Sequence, residues 1–152
     1  MPVSSDFSSS LLDFNGVLDI NYPTALVWGA DGRLYVTEAS GQVFALTVSF
    51  GDADPGDGDP TSSFFVTDAE VISEVAVIAN HDDDGAANNT NIRQVTGIDV
   101  TPQFDADGNP VLIDGVPAVV MYVTSSDSRM GGGAGGEDLG CLLYTSPSPR
   151  DA

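Results

Sequence analysis

The stretch that decides the fold runs from residue 24 to residue 48 and reads TALVWGADGRLYVTEASGQVFALTV. Three runs of β-branched, aromatic and other apolar residues are separated in it by two glycine-containing turns, residues 29–32 and residues 39–41. Strands joined by an Asp-Gly turn and then a second glycine turn are typical of an antiparallel meander. After a long acidic loop, residues 71–79 (VISEVAVIA) are dominated by Val and Ile, and they predict a fourth strand.

The same pattern begins again further along the chain. Residues 24–26 (TAL) are echoed by residues 96–98 (TGI) at an offset of 72, and residues 34–37 (LYVT) by residues 121–124 (MYVT) at an offset of 87. The difference of 15 residues is taken up around residues 103–116, which predict an inserted hairpin between two glycine turns. Repetition of a four-stranded unit is typical of a β-propeller, and a chance echo between two ordinary hairpins is the alternative.

Composition excludes several classes of function. The chain of 152 residues has 23 acidic side chains, four arginines and no lysine, which gives a formal charge of -19. Such a surface repels phosphate, so we expect no binding to nucleic acid and none to anionic membranes. No apolar run approaches the roughly 20 residues of a membrane helix, and the first residues lack the pattern of a signal peptide. The hydrophobic fraction of 41% is enough for a packed core.

The end of the chain is interpreted as non-native. Residues 141–151 (CLLYTSPSPRD) look like a sequencing adapter for a transposase, translated in one frame over eleven consecutive residues. We therefore set residues 141–152 aside, with a genuine Pro/Ser-rich linker as the alternative. The chain is then expected to be a fragment, with a lead-in segment over 1–20 and a partial propeller over 21–140. Blade one covers about 21–79 and the start of blade two about 93–140.

Four segments resemble glucose/sorbosone dehydrogenase-like propellers: residues 21–36 (NYPTALVWGADGRLYV), 80–85 (NHDDDG), 93–98 (RQVTGI) and 122–133 (YVTSSDSRMGGG). The resemblance covers about residues 7–140. It implies an all-β chain that forms about one and a half four-stranded antiparallel blades of a six-bladed β-propeller. Enzymatic members of that family oxidise sugars with pyrroloquinoline quinone and Ca²⁺.

In a propeller whose strands are lettered A to D outward from the axis, the D-to-A and B-to-C connections share one face. Residues 80–94 form a D-to-A loop, and a B-to-C loop begins at residue 125, so both are expected on the face that usually carries the active site. The acidic residues 52–59 belong to a C-to-D loop on the opposite face. They resemble an EF-hand loop but lack its Gly at position 6 and its Glu at position 12.

The resemblance implies roles for three residues of the active face. His81 is the only histidine and would be the catalytic base that accepts the hydroxyl proton, unless it anchors the loop or is simply solvated. Arg93 and Arg129 would hold the carboxylates of the quinone, and the alternative for Arg93 is a structural pairing with loop carboxylates. The sequence departs from the enzymes here, because residues 93–97 (RQVTG) stand where they have a His-Gln-x-Gly-type stretch.

A calcium site is predicted in the same region. Asp82 and Asp84 lie among several asparagines in the D-to-A loop, and the topology places Asp127 on the same face. Ca²⁺ prefers carboxylate and amide oxygens, and it would offset the repulsion between adjacent carboxylates. The alternative is a solvated acidic loop.

Two functions follow from this sequence. The first is a fragment of a secreted sugar-dehydrogenase-like propeller, possessing a quinone-dependent activity towards a sugar or related alcohol. The second is a non-catalytic propeller module in an extracellular adhesion or carbohydrate-binding protein. Both expect a sugar or glycan as ligand, the rest of the propeller as partner, and an extracellular or periplasmic location.

Overall fold

The computed structural model describes residues 12, 14, 16, 18–51, 63–80, 93–127 and 142–147, with the backbone alone for residues 63, 127 and 142–147. These residues form strands and turns and contain no helix, which confirms the all-β prediction; none of them forms a helix that could cross a membrane. The strands are β1 (Pro23–Trp28), β2 (Leu34–Glu38), β3 (Val43–Gly51), β4 (Ser63–Ile72), β5 (Arg93–Pro102), β6 (Leu112–Ile113), β7 (Val116–Pro117), β8 (Val119–Asp127) and β9 (Leu142–Pro147).

Sheet one is a four-stranded antiparallel meander in the order β1-β2-β3-β4. The turn between β1 and β2 is closed by a hydrogen bond of 3.1 Å from the Gly32 amide to the Gly29 carbonyl oxygen. Gly32 has a φ of 81° there, a conformation that glycine adopts without steric cost. The meander predicted from residues 24–48 is therefore confirmed.

The predicted position of the fourth strand is wrong. β4 covers Ser63–Ile72, and residues 74–77 form turns instead of continuing a strand. The charged residues Asp68 and Glu70 interrupt the apolar pattern of β4, so its strand signal is weak. Val75 is fully buried although it lies in a turn, whereas Val71 and Val77 are exposed, so the apolar run at 71–79 does not correspond to one strand.

Sheet two has the strand order β5-β8-β9, and its first pair repeats the register of β1 and β2. A bulge falls at Thr24 in β1 and at Thr96 in β5. Each of these threonine hydroxyls lies close to the hydroxyl of a threonine on the next strand, 2.8 Å away at Thr37 and 3.1 Å away at Thr124. The echo read from the sequence thus corresponds to two strand pairs with the same local geometry.

The inserted hairpin is also confirmed. β6 and β7 pair antiparallel between β5 and β8, and Gly108 and Gly115 both adopt a positive φ in its turns. The extra residues therefore form a separate two-stranded unit that leaves the register of β5 and β8 unchanged.

The tail residues Leu142–Pro147 pair through their backbone with β8. An open sheet edge offers unpaired N–H and C=O groups to any extended segment, whatever its origin. The non-native origin of residues 141–152 stays a prediction, because strand pairing does not test it.

The two sheets pack face to face around one core cluster. Sheet one contributes Tyr35 and Ala45 to this cluster, and sheet two contributes Val95, Met121 and Val123. Because side chains alternate along a strand, Leu34 and Val36 face the other side of sheet one. They form a second cluster there, against which lead-in residues pack: Leu12, Phe14, Leu18 and Ile20.

Side chains at equivalent positions of the two sheets point in the same direction as each other along the line that joins the two sheets. By the shared register, Tyr35 corresponds to Tyr122, and Val36 corresponds to Val123. Tyr35 of sheet one faces sheet two, whereas Val123 of sheet two faces back towards sheet one. Tyr122 lies between Met121 and Val123 on β8 and so faces away from sheet one. The two sheets are therefore stacked head to tail.

Candidate functional site

Three parts of the chain meet at one end of the two sheets, which we call the turn end. They are the turn over residues 39–42, the segment over residues 73–80 and the first residues of β5. Gly41 lies at their junction with a φ of 92°. A Cβ atom on Gly41 would lie 2.5 Å from the backbone oxygen of Arg93 and 3.1 Å from the Cα of Ala76. Only glycine fits at this distance, so the turn between β2 and β3 packs directly on the backbone of the connection from β4 to β5. The predicted sharing of a face concerns the loops over residues 80–94 and from residue 125, most of which lie outside the described residues, so it stays a prediction.

Arg93 begins β5 at the turn end, and its side chain is buried, with 3% of the residue exposed. Its Nε donates to Ser125 Oγ at 2.9 Å, and its Nη1 donates to Asn80 Oδ1 at 2.6 Å. Asn80 is buried as well and lies directly before His81 in the chain. Arg93 therefore ties the end of the 73–80 segment to β8, whereas the sequence offered it as a ligand of quinone carboxylates.

The bonds to Ser125 and Asn80 use Nε and one of the two N–H groups of Nη1, out of the five N–H donors of a guanidinium. A carboxylate that took the N–H now bonded to Asn80 would have to displace a buried side-chain oxygen. Breaking a buried hydrogen bond of a charged group costs about 1.5–3 kcal/mol unless an equivalent bond replaces it. The geometry of Arg93 is that of an internal clamp on the residue before His81.

The other predicted site residues are only partly within the structure. Asp127 ends β8 as the register partner of Arg93, which places its backbone at the turn end as predicted. His81, Asp82, Asp84 and Arg129 lie outside the described residues, as does the acidic loop over residues 52–59. Within the described ranges, no group of three or more His, Cys, Asp or Glu side chains could hold a metal ion.

A buried ionic network that the sequence analysis missed lies at the opposite end of sheet one. Arg33 donates from Nε to Asp31 Oδ2 at 2.6 Å, from Nη1 to Glu70 Oε2 at 2.7 Å and from Nη2 to the hydroxyl of Tyr35 at 2.8 Å. The Tyr35 hydroxyl donates to Asp31 Oδ2 at 2.9 Å. The side chains of Arg33 and Asp31 are nearly inaccessible to solvent, and that of Glu70 is partly exposed.

Burial and pairing raise the pKa values of two residues in this network, Tyr35 and Arg33. Burial is the main reason that the pKa of Tyr35 lies well above its usual value, so the hydroxyl stays protonated and can donate to Asp31. Burial lowers the pKa of Arg33, but the bonds to Asp31 and Glu70 outweigh it and raise that pKa overall. Both shifts move the pKa further from neutral pH, so Tyr35 stays neutral and Arg33 stays charged.

Part of this network was visible in the sequence. Arg33 and Tyr35 are two residues apart on a strand and so lie on one face, with Asp31 just before them in the turn. Glu70 could not be identified in the same way, because the position of β4 was misplaced and its register with β3 was therefore unknown.

An apolar cavity of about 270 Å³ opens on the face of sheet one that carries Leu34 and Val36. It is lined by Leu12, Trp28, Leu34, Val48 and Phe64. Trp28 and Phe64 are half exposed there, so the lead-in residues leave this side of the sheet incompletely covered.

Comparison of the chain with protein-family models, with curated proteins and with solved structures finds no match.

Proposed function

We propose that this chain forms about one and a half blades of a six-bladed, glucose/sorbosone dehydrogenase-like β-propeller that binds a sugar at the turn end. The observation that carries the propeller is the head-to-tail stacking of two sheets with the same bulged register. Radial repetition of such sheets around an axis is how propellers cover the faces of their sheets.

Applying the same stacking step again gives a definite arrangement for the rest of the propeller. A third sheet would cover the Tyr122 face of sheet two, and a preceding sheet would cover the Leu34–Val36 face of sheet one. The incomplete cover over the cavity beside Trp28 and Phe64 supports such a neighbour. A head-to-tail interface forms a closed ring when the rotation per step divides the circle.

The proposed chemistry is the oxidation of a sugar hydroxyl. His81 would accept the hydroxyl proton as general base, in the loop that follows the buried Asn80. Pyrroloquinoline quinone, when bound, would supply the acceptor for the hydride, and Arg129 is the arginine proposed to bind its carboxylates. Arg93 is proposed as a positioning residue, because its bond to Asn80 fixes the point from which the His81 loop departs. Asp82, Asp84 and Asp127 are the residues proposed to bind Ca²⁺.

The second candidate is a non-catalytic sugar-binding propeller in an extracellular or periplasmic protein. The engagement of Arg93 with Asn80 and Ser125 favours it, because one of the two arginines offered for the quinone is used inside the fold.

The deciding experiment is a sugar oxidation assay on the complete gene product, reconstituted with pyrroloquinoline quinone and Ca²⁺ and coupled to a redox dye. Oxidation that is lost in His81→Ala supports the enzyme. Sugar binding without oxidation supports the binding module, and the absence of both contradicts the proposal.

A further inference from the structure

Tyr22 combines a left-handed backbone conformation with an exposed aromatic side chain. It has a φ of 54°, in the left-handed region that side chains other than Asn and Asp seldom adopt, and it is 84% exposed. It also precedes Pro23, and the residue before a proline is normally driven towards extended conformations. The backbone of Tyr22 is therefore strained, while its ring lies in solvent.

Turn chemistry does not explain this strain. The other described residue with a positive φ and a side chain is Asp114, with a φ of 51°. Asp114 precedes Gly115 in the two-residue turn between β6 and β7, where Asp-Gly is the favoured sequence. Tyr22 lies in no such turn, and a tyrosine gains nothing locally from this conformation.

Hydrogen bonds on both sides hold Tyr22 in place. The Asn21 amide donates to Glu38 Oε1 at 2.6 Å, and the Tyr22 carbonyl oxygen accepts from the Ala39 amide at 3.1 Å. Glu38 is buried, so this anchor is rigid. The surrounding structure thus fixes the backbone of Tyr22 and projects its ring outward at the turn end, beside the exposed Asn21.

From these observations we propose that Tyr22 is a stacking platform for a sugar ring, with the Asn21 side chain as a neighbouring hydrogen-bond partner. Strain that the surrounding structure enforces is concentrated at ligand-binding sites. A phenol ring offers a flat apolar face to the C–H groups of a sugar, and an amide can both donate to and accept from its hydroxyls. The inference rests on the proposed function, because it takes a sugar as the ligand, and it adds a subsite on the turn end that was not among the predicted residues.

The test is the binding of D-glucose, D-galactose and cellobiose to the complete gene product, measured by saturation-transfer NMR and by titration. Tyr22→Phe and Tyr22→Trp should retain the affinity, because both keep an aromatic face. Tyr22→Gly should weaken it about tenfold, a loss of about 1.4 kcal/mol. Tyr22→Gly should also raise the melting temperature of the protein, because glycine adopts the left-handed backbone conformation without strain.

The matched control is Phe104→Ala. Phe104 is also an exposed aromatic residue but lies beyond the far end of β5, so its removal should leave sugar binding unchanged. If the complete gene product binds a sugar and Tyr22→Gly binds it equally well, the subsite is refuted while the proposed function stands. If the unaltered gene product binds none of the three sugars, both the subsite and the sugar-binding proposal are contradicted. A melting temperature that falls in Tyr22→Gly would identify the ring as a packing element and overturn the inference.

Discussion

At the residue scale, Gly29 leaves the least room for a side chain among the glycines that the structure describes. A Cβ atom at this position would lie 2.4 Å from Asp31 Oδ1, 2.7 Å from Tyr35 Cε2 and 3.3 Å from Val100 Cγ1. The carboxylate and the ring cannot move away freely, because both are bonded within the Arg33 network. We expect Gly29→Ala to lower the free energy of unfolding by about 2 kcal/mol in urea titrations. Gly51→Ala is the control, since its Cβ would meet only Phe65, at 4.0 Å; equal losses would contradict this account.

The two carboxylates bound by Arg33 should differ strongly in what they contribute. Asp31 is buried, so Arg33→Met would leave a charge inside the protein and should cost about 3–5 kcal/mol of stability. Glu70 is partly exposed, so Glu70→Gln should cost less than about 1 kcal/mol. Chemical denaturation of the two variants measures both values, and similar losses would show that Asp31 is not the critical partner.

At the scale of elements, Asp105 organises the loop that leads into the inserted hairpin. Its Oδ1 accepts from the amides of Asp107 at 2.9 Å and Asn109 at 2.8 Å. The bond from the Asn109 backbone is the main reason that the pKa of Asp105 lies below its ordinary value of 3.8. A carboxyl whose pKa is lower in the folded state stabilises the loop above its ordinary pKa, and this contribution is lost as the pH falls through the lowered value.

We therefore expect the amide resonances of Asp107 and Asn109 to shift together with a midpoint below pH 3.8. An NMR titration measures this midpoint, and Asp105→Ala should abolish the shift. Asp107→Asn is the control, because the backbone amide of residue 107 remains able to donate. A midpoint at or above the ordinary value would contradict the expected role of Asp105.

The same scale shows what could be predicted from the sequence. Turns have local signals, so Asp31-Gly32 and the glycines of the inserted hairpin correctly marked the ends of strands. The edge strand β4 lacked such a signal, because Asp68 and Glu70 interrupt its apolar pattern; Glu70 lies opposite Ala45 on the side that meets sheet two, where Arg33 binds it. The apolar run at 71–79 was mistaken for a strand, although only residues 71 and 72 belong to β4 and Val75 is buried in a turn. The repeat was legible because a threonine stands at each of the two bulges, Thr24 and Thr96.

At the scale of the whole molecule, the site was harder to predict than the fold. The identities of His81 and Arg93 are visible in sequence, but whether an arginine is free to bind a ligand depends on residues distant in the chain. The partners of Arg93 are Asn80 and Ser125, which lie 13 and 32 residues away and meet it only once β5 and β8 pair. The chemical types of the candidate site residues could therefore be predicted from the sequence, but the hydrogen-bond partners that engage Arg93 in the fold could not.

The distribution of charge has a consequence for the whole molecule. Arg33 and Arg93, the arginines that the structure describes, are both buried, while the formal charge of the chain is -19. Repulsion among exposed carboxylates should therefore destabilise the folded chain at low ionic strength. Because the screening length falls from roughly 30 Å at 0.01 M salt to about 3 Å at 1 M, the melting temperature should rise over that range of NaCl. Calorimetry measures this rise, and a flat response would show that the carboxylates are already neutralised.

Calcium separates general screening from a specific site. In the complete protein, Ca²⁺ at matched ionic strength should stabilise beyond NaCl if Asp82 and Asp84 bind it, because a divalent ion coordinated by several oxygens also orders their loop. The double variant Asp82→Asn and Asp84→Asn should then lose most of the additional rise in melting temperature. Asp54→Asn with Asp57→Asn removes the same charge from a loop that lacks the spacing of a calcium site, and it should retain that rise. If both double variants lose the calcium effect equally, the ion acts only by screening, and the predicted site is absent.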